Sequence, residues 1–134
     1  MAGRNTGGVP AIDIADETFV VSPPEAVAAH LADPGRWHAW FPDLTMTVIE
    51  DRGSHGLRWT VAGSVTGTAE IWVEPVNDGA VIHTFLRGQV GSSLRPRAQR
   101  KASAEWALRV KRVAFGIKDA LEGDRHSRPG TPTS

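Results

Sequence analysis

The chain contains no cysteine and no tyrosine. The first absence rules out disulfides, thiolate metal sites and cysteine nucleophiles. The second removes a tyrosine general acid. No apolar run approaches the roughly 18 residues that a membrane-spanning helix needs. The five histidines, His30, His38, His55, His83 and His126, form no HxH or HExxH pair, so no metal site is expected. GxSxG, P-loop and GxGxxG motifs are also missing, and with them the usual sequence signals of a hydrolase or a nucleotide site. No catalytic residue and no cofactor is therefore assigned. Met1 to Pro10 is Gly-rich and polar, without the apolar core of a signal peptide. Residues 1–11 are thus expected to be a flexible N-terminus, and cytoplasmic residence is the expectation.

What remains is an ordinary globular composition. The chain has 134 residues, 40% of them hydrophobic and 22% charged, enough for one domain with its own core. The net charge is zero but unevenly spread. Residues 94–134 hold ten Lys and Arg against four Asp and Glu, while residues 1–93 hold five against eleven. A basic segment over an acidic one reads first as a solvated helix face on an acidic domain. No nucleic-acid partner is expected. Weak contact of that basic helix with an anionic membrane surface is the functional alternative.

The longest periodic stretch is Leu94 to Gly123. At 100° per residue, Ala102, Trp106, Val110, Val113, Ile117 and Leu121 form one apolar stripe. Gly123 supplies a stop signal, and the Pro/Gly/Ser/Thr-rich end, residues 123–134, reads as a disordered tail. Arg109 lies on the flank of the stripe, where its charge is expected to stay solvated. Leu108 and Phe115 fall on the opposite face.

Before this helix the chain reads mostly as strands, making residues 12–122 a single α+β domain. Ile12 to Val21 is a first strand. Ser22-Pro23-Pro24-Glu25 opens a short helix, with Ser22 as its cap and Glu25 completing a capping box. Asp33-Pro34-Gly35 stops it. Arg36 to Phe41 carries three aromatics in one or two helical turns. Leu44 to Glu50 and Leu57 to Val61 alternate as strands, the second with Leu57, Trp59 and Val61 on one face. Thr68 to Glu74 and Ala80 to Arg87 flank the turn at Asn77-Asp78. A two-residue loop there sets Trp72 opposite His83, Glu70 opposite Phe85 and Val73 opposite Ile82. Ala69, Ile71, Val73, Ile82, Thr84 and Leu86 then share the inward face, and Trp72, His83 and Phe85 point outward.

Three stretches carry a family resemblance: Val20-Val21-Ser22-Pro23-Pro24-Glu25-Ala26-Val27, Leu31-Ala32-Asp33-Pro34-Gly35-Arg36-Trp37-His38-Ala39-Trp40, and Glu74-Pro75-Val76-Asn77-Asp78-Gly79. Their order resembles the helix-grip fold of the START-like or SRPBCC superfamily, and in particular small actinobacterial polyketide cyclase/dehydrase and lipid-transport-like proteins. The resemblance implies an antiparallel sheet around a long C-terminal helix. It also implies a hydrophobic cavity between them for a lipid or polyketide-like molecule. It implies no shared catalytic set, because the superfamily holds enzymes, carriers and plain binders. Such domains have about seven strands, whereas this chain offers about five, a shortened sheet.

The residues expected to line the cavity are Trp37, Trp40 and Phe41 at its mouth, and Leu57, Trp59, Val61, Ile71, Val73, Ile82 and Leu86 on the sheet. Trp106, Val110 and Val113 face them from the helix. The main functional expectation is binding or transport of a small hydrophobic molecule. The alternatives are a polyketide cyclase or aromatase, with His38, Arg58 and Glu70 as its nearest polar candidates, and a non-catalytic interaction module. The short sheet predicts self-association. The stripe from Ala102 to Leu121 spans about 28 Å, and five strands about 20 Å, so apolar surface is left near an open edge and a homodimer is expected.

Overall fold

The computed structural model describes residues 11–91 and 95–127, with side chains as far as residue 123. The expectations for residues 1–10 and 128–134, and the helix start at Leu94, lie outside the described residues. Strand β1 (Ile12–Val20) leads into α1 (Pro24–Leu31) and α2 (Pro34–Trp40). Strands β2 (Leu44–Asp51), β3 (Gly56–Gly63), β4 (Thr66–Val76) and β5 (Gly79–Gln89) follow, and α3 (Pro96–Ser127) closes the chain. The five strands form one antiparallel sheet in the order β1-β5-β4-β3-β2. This is the shortened helix-grip sheet that the sequence implies.

The β4–β5 register follows from its turn. Asn77 takes a positive φ of 50°, and the strands pair Glu70 with Phe85, Trp72 with His83 and Val73 with Ile82. Period-two alternation then sends Ala69, Ile71, Val73, Ile82, Thr84 and Leu86 inward, and all six are buried. Leu57, Trp59 and Val61 join them from β3, and Ile12, Ile14 and Val20 from β1. A bulge between Val48 and Glu50 leaves Ile49 half exposed on the β2 edge. Gly63, at φ 133°, lets β3 end against the backbone of Asp43, where any Cβ would collide with the Asp43 carbonyl.

Helix α3 lays Trp106, Val110, Val113, Ala114 and Ile117 into this face, with Ala102 and Leu121 half-buried at either end of the stripe. Polar ties fix its position along β1. Lys111 pairs with Asp16, Lys118 Nζ donates to the Phe19 carbonyl at 2.7 Å, and Val21 N donates to Glu122 Oε2 at 2.8 Å. Some of the helix's positive charge is thus taken up by the acidic N-terminal part.

Two local expectations are corrected. Pro23, not Ser22, is the N-cap of α1, and no side chain caps that helix. Ser22 stands one residue upstream and is buried instead. Gly123 does not stop α3, which continues to Ser127. A glycine in a helix costs only about 1 kcal/mol relative to alanine, and the neighbouring Glu122 accepts from Val21 N, just past the end of β1. Asp33, expected only to end α1, also caps α2 by accepting from Gly35 N at 2.9 Å.

Candidate functional site

The site is built where α2 meets α3. Pro34 at the start of α2 and the Asp33 cap set its entry, and the helix ends at Trp40. Trp37 and Trp40 of this helix and Phe41, which follows it, then go three ways. Phe41 is buried and lies 5.8 Å from the Trp106 ring. Trp37 meets Trp59 edge-on at 5.3 Å, and its Nε1 donates to the Leu31 carbonyl at 2.6 Å. Trp40 stays half-buried and faces α3 across a groove. That groove has a volume of about 330 Å³ and is lined by Ala39, Trp40, Arg109, Arg112, Val113 and Gly116. A second depression of about 290 Å³ lies on the other side of α2, lined by Pro34, Trp37, His38, Leu44, Thr45 and Met46.

Arg109 is not the loosely solvated flank residue expected from its position. Its Nη1 and Nη2 donate to Asp43 Oδ2 and Oδ1 at 3.0 and 2.6 Å, a bidentate fork. The same guanidinium lies 3.9 Å over the Trp106 ring and 5.6 Å from Phe41. Asp43 is held well below the usual carboxylate range. The Arg109 hydrogen bonds are the main cause, opposed by partial burial and assisted by a hydrogen bond from the Ser64 side chain. Arg109, which lines the groove, is therefore neutralised by Asp43. Arg112 is exposed on the rim, and among the described residues it has neither an ion pair nor a hydrogen bond.

The residues singled out from the sequence divide accordingly. Trp40 and Val113 line the groove, and Trp37 lines the second depression. Phe41, Leu57, Trp59, Val61, Ile71, Val73, Ile82, Leu86, Trp106 and Val110 all lie in the core. Trp59 and Ile82 have no accessible surface, and Leu86, Val110 and Ile117 have 1%. A side chain without accessible surface has no water-sized space beside it, inside the molecule or out. At these positions the helix–sheet seam is packed.

A polar cluster inside the seam escaped the sequence reading. Asp16 takes an inward position of β1, in line with Ile14 and Thr18, and pairs with Lys111. Thr18 Oγ1 donates to Asp16 Oδ2 at 2.8 Å. Thr84, the cross-strand partner of Asp16, keeps its Oγ1 buried without a hydrogen-bond partner among the described residues, and so does Trp59 its Nε1. The alternation Ile12, Ile14, Asp16, Thr18, Val20 was the signal that could have revealed the cluster. His38 lines the second depression, while Arg58 and Glu70 pair on the outer sheet face at 3.4 Å.

No protein-family model matches the chain, and neither does any curated protein. Solved structures do match. The di-domain aromatase/cyclase StfQ of the steffimycin biosynthetic pathway aligns at TM-score 0.62 and 13% identity, over 87% of this chain and 52% of that one. The polyketide cyclase-like protein Cgl2372 of Corynebacterium glutamicum aligns at TM-score 0.54 and 16% identity, over 88% and 96%. The Aha1 dimer of Colwellia psychrerythraea aligns at 0.57 and 15%, over 83% and 96%. The chain thus shares the fold of these proteins, an antiparallel sheet gripping a long C-terminal helix. Among the described residues no helix is long and apolar enough to cross a membrane.

Proposed function

We propose that the protein binds a small hydrophobic molecule at the junction of α2 and α3. The observation that carries this reading is the groove of about 330 Å³ walled by Trp40, Ala39 and Val113, which falls at the lower end of small-molecule site volumes. Trp40 offers an aromatic face, and the fixed Arg109–Asp43 fork keeps one side rigid. The fold itself occurs in StfQ, an aromatase/cyclase, and in a polyketide cyclase-like protein, which is compatible with an apolar guest. The cavity expected between sheet and helix shifts, in this reading, to the α2 side of α3. Trp40 and Val113 are then the ligand contacts, and the core residues support them from beneath.

Binding without chemistry is favoured over a cyclase by the placement of the polar groups. The inward Asp16–Lys111 pair lies on the other flank of α3, because positions 111 and 116 are about 140° apart on a helix. The proposal is tested by native mass spectrometry of the purified protein, with and without added N-phenyl-1-naphthylamine. An apolar adduct that disappears in Trp40→Ala is the expected result. Absence of both an apolar adduct and saturable dye binding would overturn it.

Cytoplasmic residence, a homodimer and light contact of the basic helix with a membrane surface are parts of the same proposal. The half-exposed Ile49 on the β2 edge supports pairing, and the exposed Leu108 and Phe115 support surface contact. A single species near 14.4 kDa in sedimentation equilibrium at all micromolar concentrations would remove the dimer.

A further inference from the structure

We infer that the α2–α3 groove takes a small apolar anion, a flat hydrophobic body bearing a carboxylate or sulfonate, with Arg112 as its counter-charge and Gly116 as its open floor. This rests on the binding reading above and adds the chemical class of the guest. Two charged residues line the groove, Arg109 and Arg112. Arg109 spends its fork on Asp43 and its face on Trp106, so that pair is closed. Arg112 is left as a net positive charge on the rim, with its donors unclaimed by any described residue. A guanidinium beside an apolar wall suits an amphipathic anion, since its planar fork matches a carboxylate while the ring of Trp40 takes the body.

Gly116 is the second, independent observation. It lies deep inside a helix of 32 residues, where glycine costs about 0.5–1 kcal/mol relative to alanine. Close packing does not require it, because a Cβ built there meets nothing within 4 Å. Gly116 is exposed and lines the groove, so a side chain added there would project into open space at the groove. A helix that bears this cost without a packing reason keeps room for something else.

The test uses the full chain and two dyes that share a ring system, 1-anilinonaphthalene-8-sulfonate and its uncharged analogue N-phenyl-1-naphthylamine. Both should bind saturably. Arg112→Gln should weaken the sulfonate about tenfold and leave the neutral dye nearly unchanged, as loss of one charge-assisted contact requires. Lys101→Gln, which removes an exposed base elsewhere on α3, should change neither. Gly116→Leu should abolish binding of both dyes, with circular dichroism confirming the helix. If that variant does not fold, Gly116→Ala is read in its place and should weaken both severalfold. An equal response of the sulfonate to Arg112→Gln and Lys101→Gln, or no response to Arg112→Gln, overturns the anion inference while neutral-dye binding keeps the binding site. If neither dye binds saturably, or filling the Gly116 space changes nothing, the binding site and the inference fall together.

Discussion

Helix α3 has two inner flanks that differ in kind. Toward the sheet, Val110, Ala114 and Ile117 belong to one buried core with Trp59, Ile82 and Leu86, and the polar groups there are confined to the Asp16–Lys111 pair, Thr18, Thr84 and the Trp59 Nε1. Toward α2, one step around the helix, stand Arg109, Arg112 and Gly116, and the surface opens into a groove. Val113 lies on the boundary, buried yet lining that groove. The first flank obeys close packing at Trp59, Ile82, Leu86, Val110 and Ile117, whose accessible surface is at most 1%. The second holds a charge that no described residue pairs with and a glycine whose Cβ would meet nothing within 4 Å, neither of which the fold needs. Both features lie on the flank where binding is proposed.

The largest expected effect breaks the packed flank. Val110→Asp places a carboxylate where 1% of the residue is accessible, and burying an unpaired charge costs several kcal/mol. The variant should lose its cooperative thermal transition by circular dichroism. Arg112→Asp, a larger change of charge on the exposed rim, should move the midpoint by only a few degrees, since surface substitutions are usually within about 0.5 kcal/mol. Similar losses in both would mean that the two flanks do not differ as described.

A smaller effect sharpens the boundary between them. Arg109→Ala removes a bidentate pair and a guanidinium stacked on Trp106. Side-chain exposures of 31% and 38% admit water to the pair, so it contributes about 1 kcal/mol at most, with a similar amount from the stacking. The two parts separate by pH. Asp43 has its folded pKa lowered by Arg109, so the folded state binds its proton less readily than the unfolded chain. The pair therefore stabilises fully above the unfolded value of about 3.9, and its contribution is lost as pH falls from there through the folded pKa. The difference in urea midpoint between wild type and Arg109→Ala should be full at pH 7 and smaller at pH 3. The part that survives reports the stacking on Trp106. A difference independent of pH would show that the fork to Asp43 adds nothing.

The packed flank was legible in the sequence, and the open one largely was not. Period 3.6 marked Trp106, Val110 and Ile117, and period two with a tight turn marked the β4–β5 register, because both patterns are local and repeat over many residues. Asp43 and Arg109 are 66 positions apart, and neither belongs to a periodic pattern that names its partner. The three aromatics of Trp37 to Phe41 formed one visible cluster, but their division among core, groove and second depression depends on the backbone angle at which α2 leaves Asp33. Gly123 was misread because a stop signal is a local preference, and the Glu122 tie to Val21 overrides it. Gly116 carried the same letter as Gly123 and attracted no notice, since only the assembled groove shows that its missing side chain leaves space.

The smallest effect has the opposite sign, and so bears most directly on the contrast between the flanks. Gly116→Ala adds one methyl in the middle of α3 where nothing lies within 4 Å, so no collision opposes it. The substitution reduces the entropy of the unfolded chain and improves helix propensity, each in the stabilising direction. A gain of about 0.5–1 kcal/mol is expected, visible as a rise of a few degrees in the thermal midpoint. On the packed flank an added methylene does the reverse, since overfilling a dense core costs about 1–3 kcal/mol. Ala114→Val, at a residue with no accessible surface, is therefore the matched control and should lower the midpoint. A rise at 116 with a fall at 114, two positions apart on one helix, would establish that space rather than helix preference separates the flanks. If Gly116→Ala also lowers the midpoint, the groove closes in solution over the position of its floor, and Gly116 is a packing residue after all.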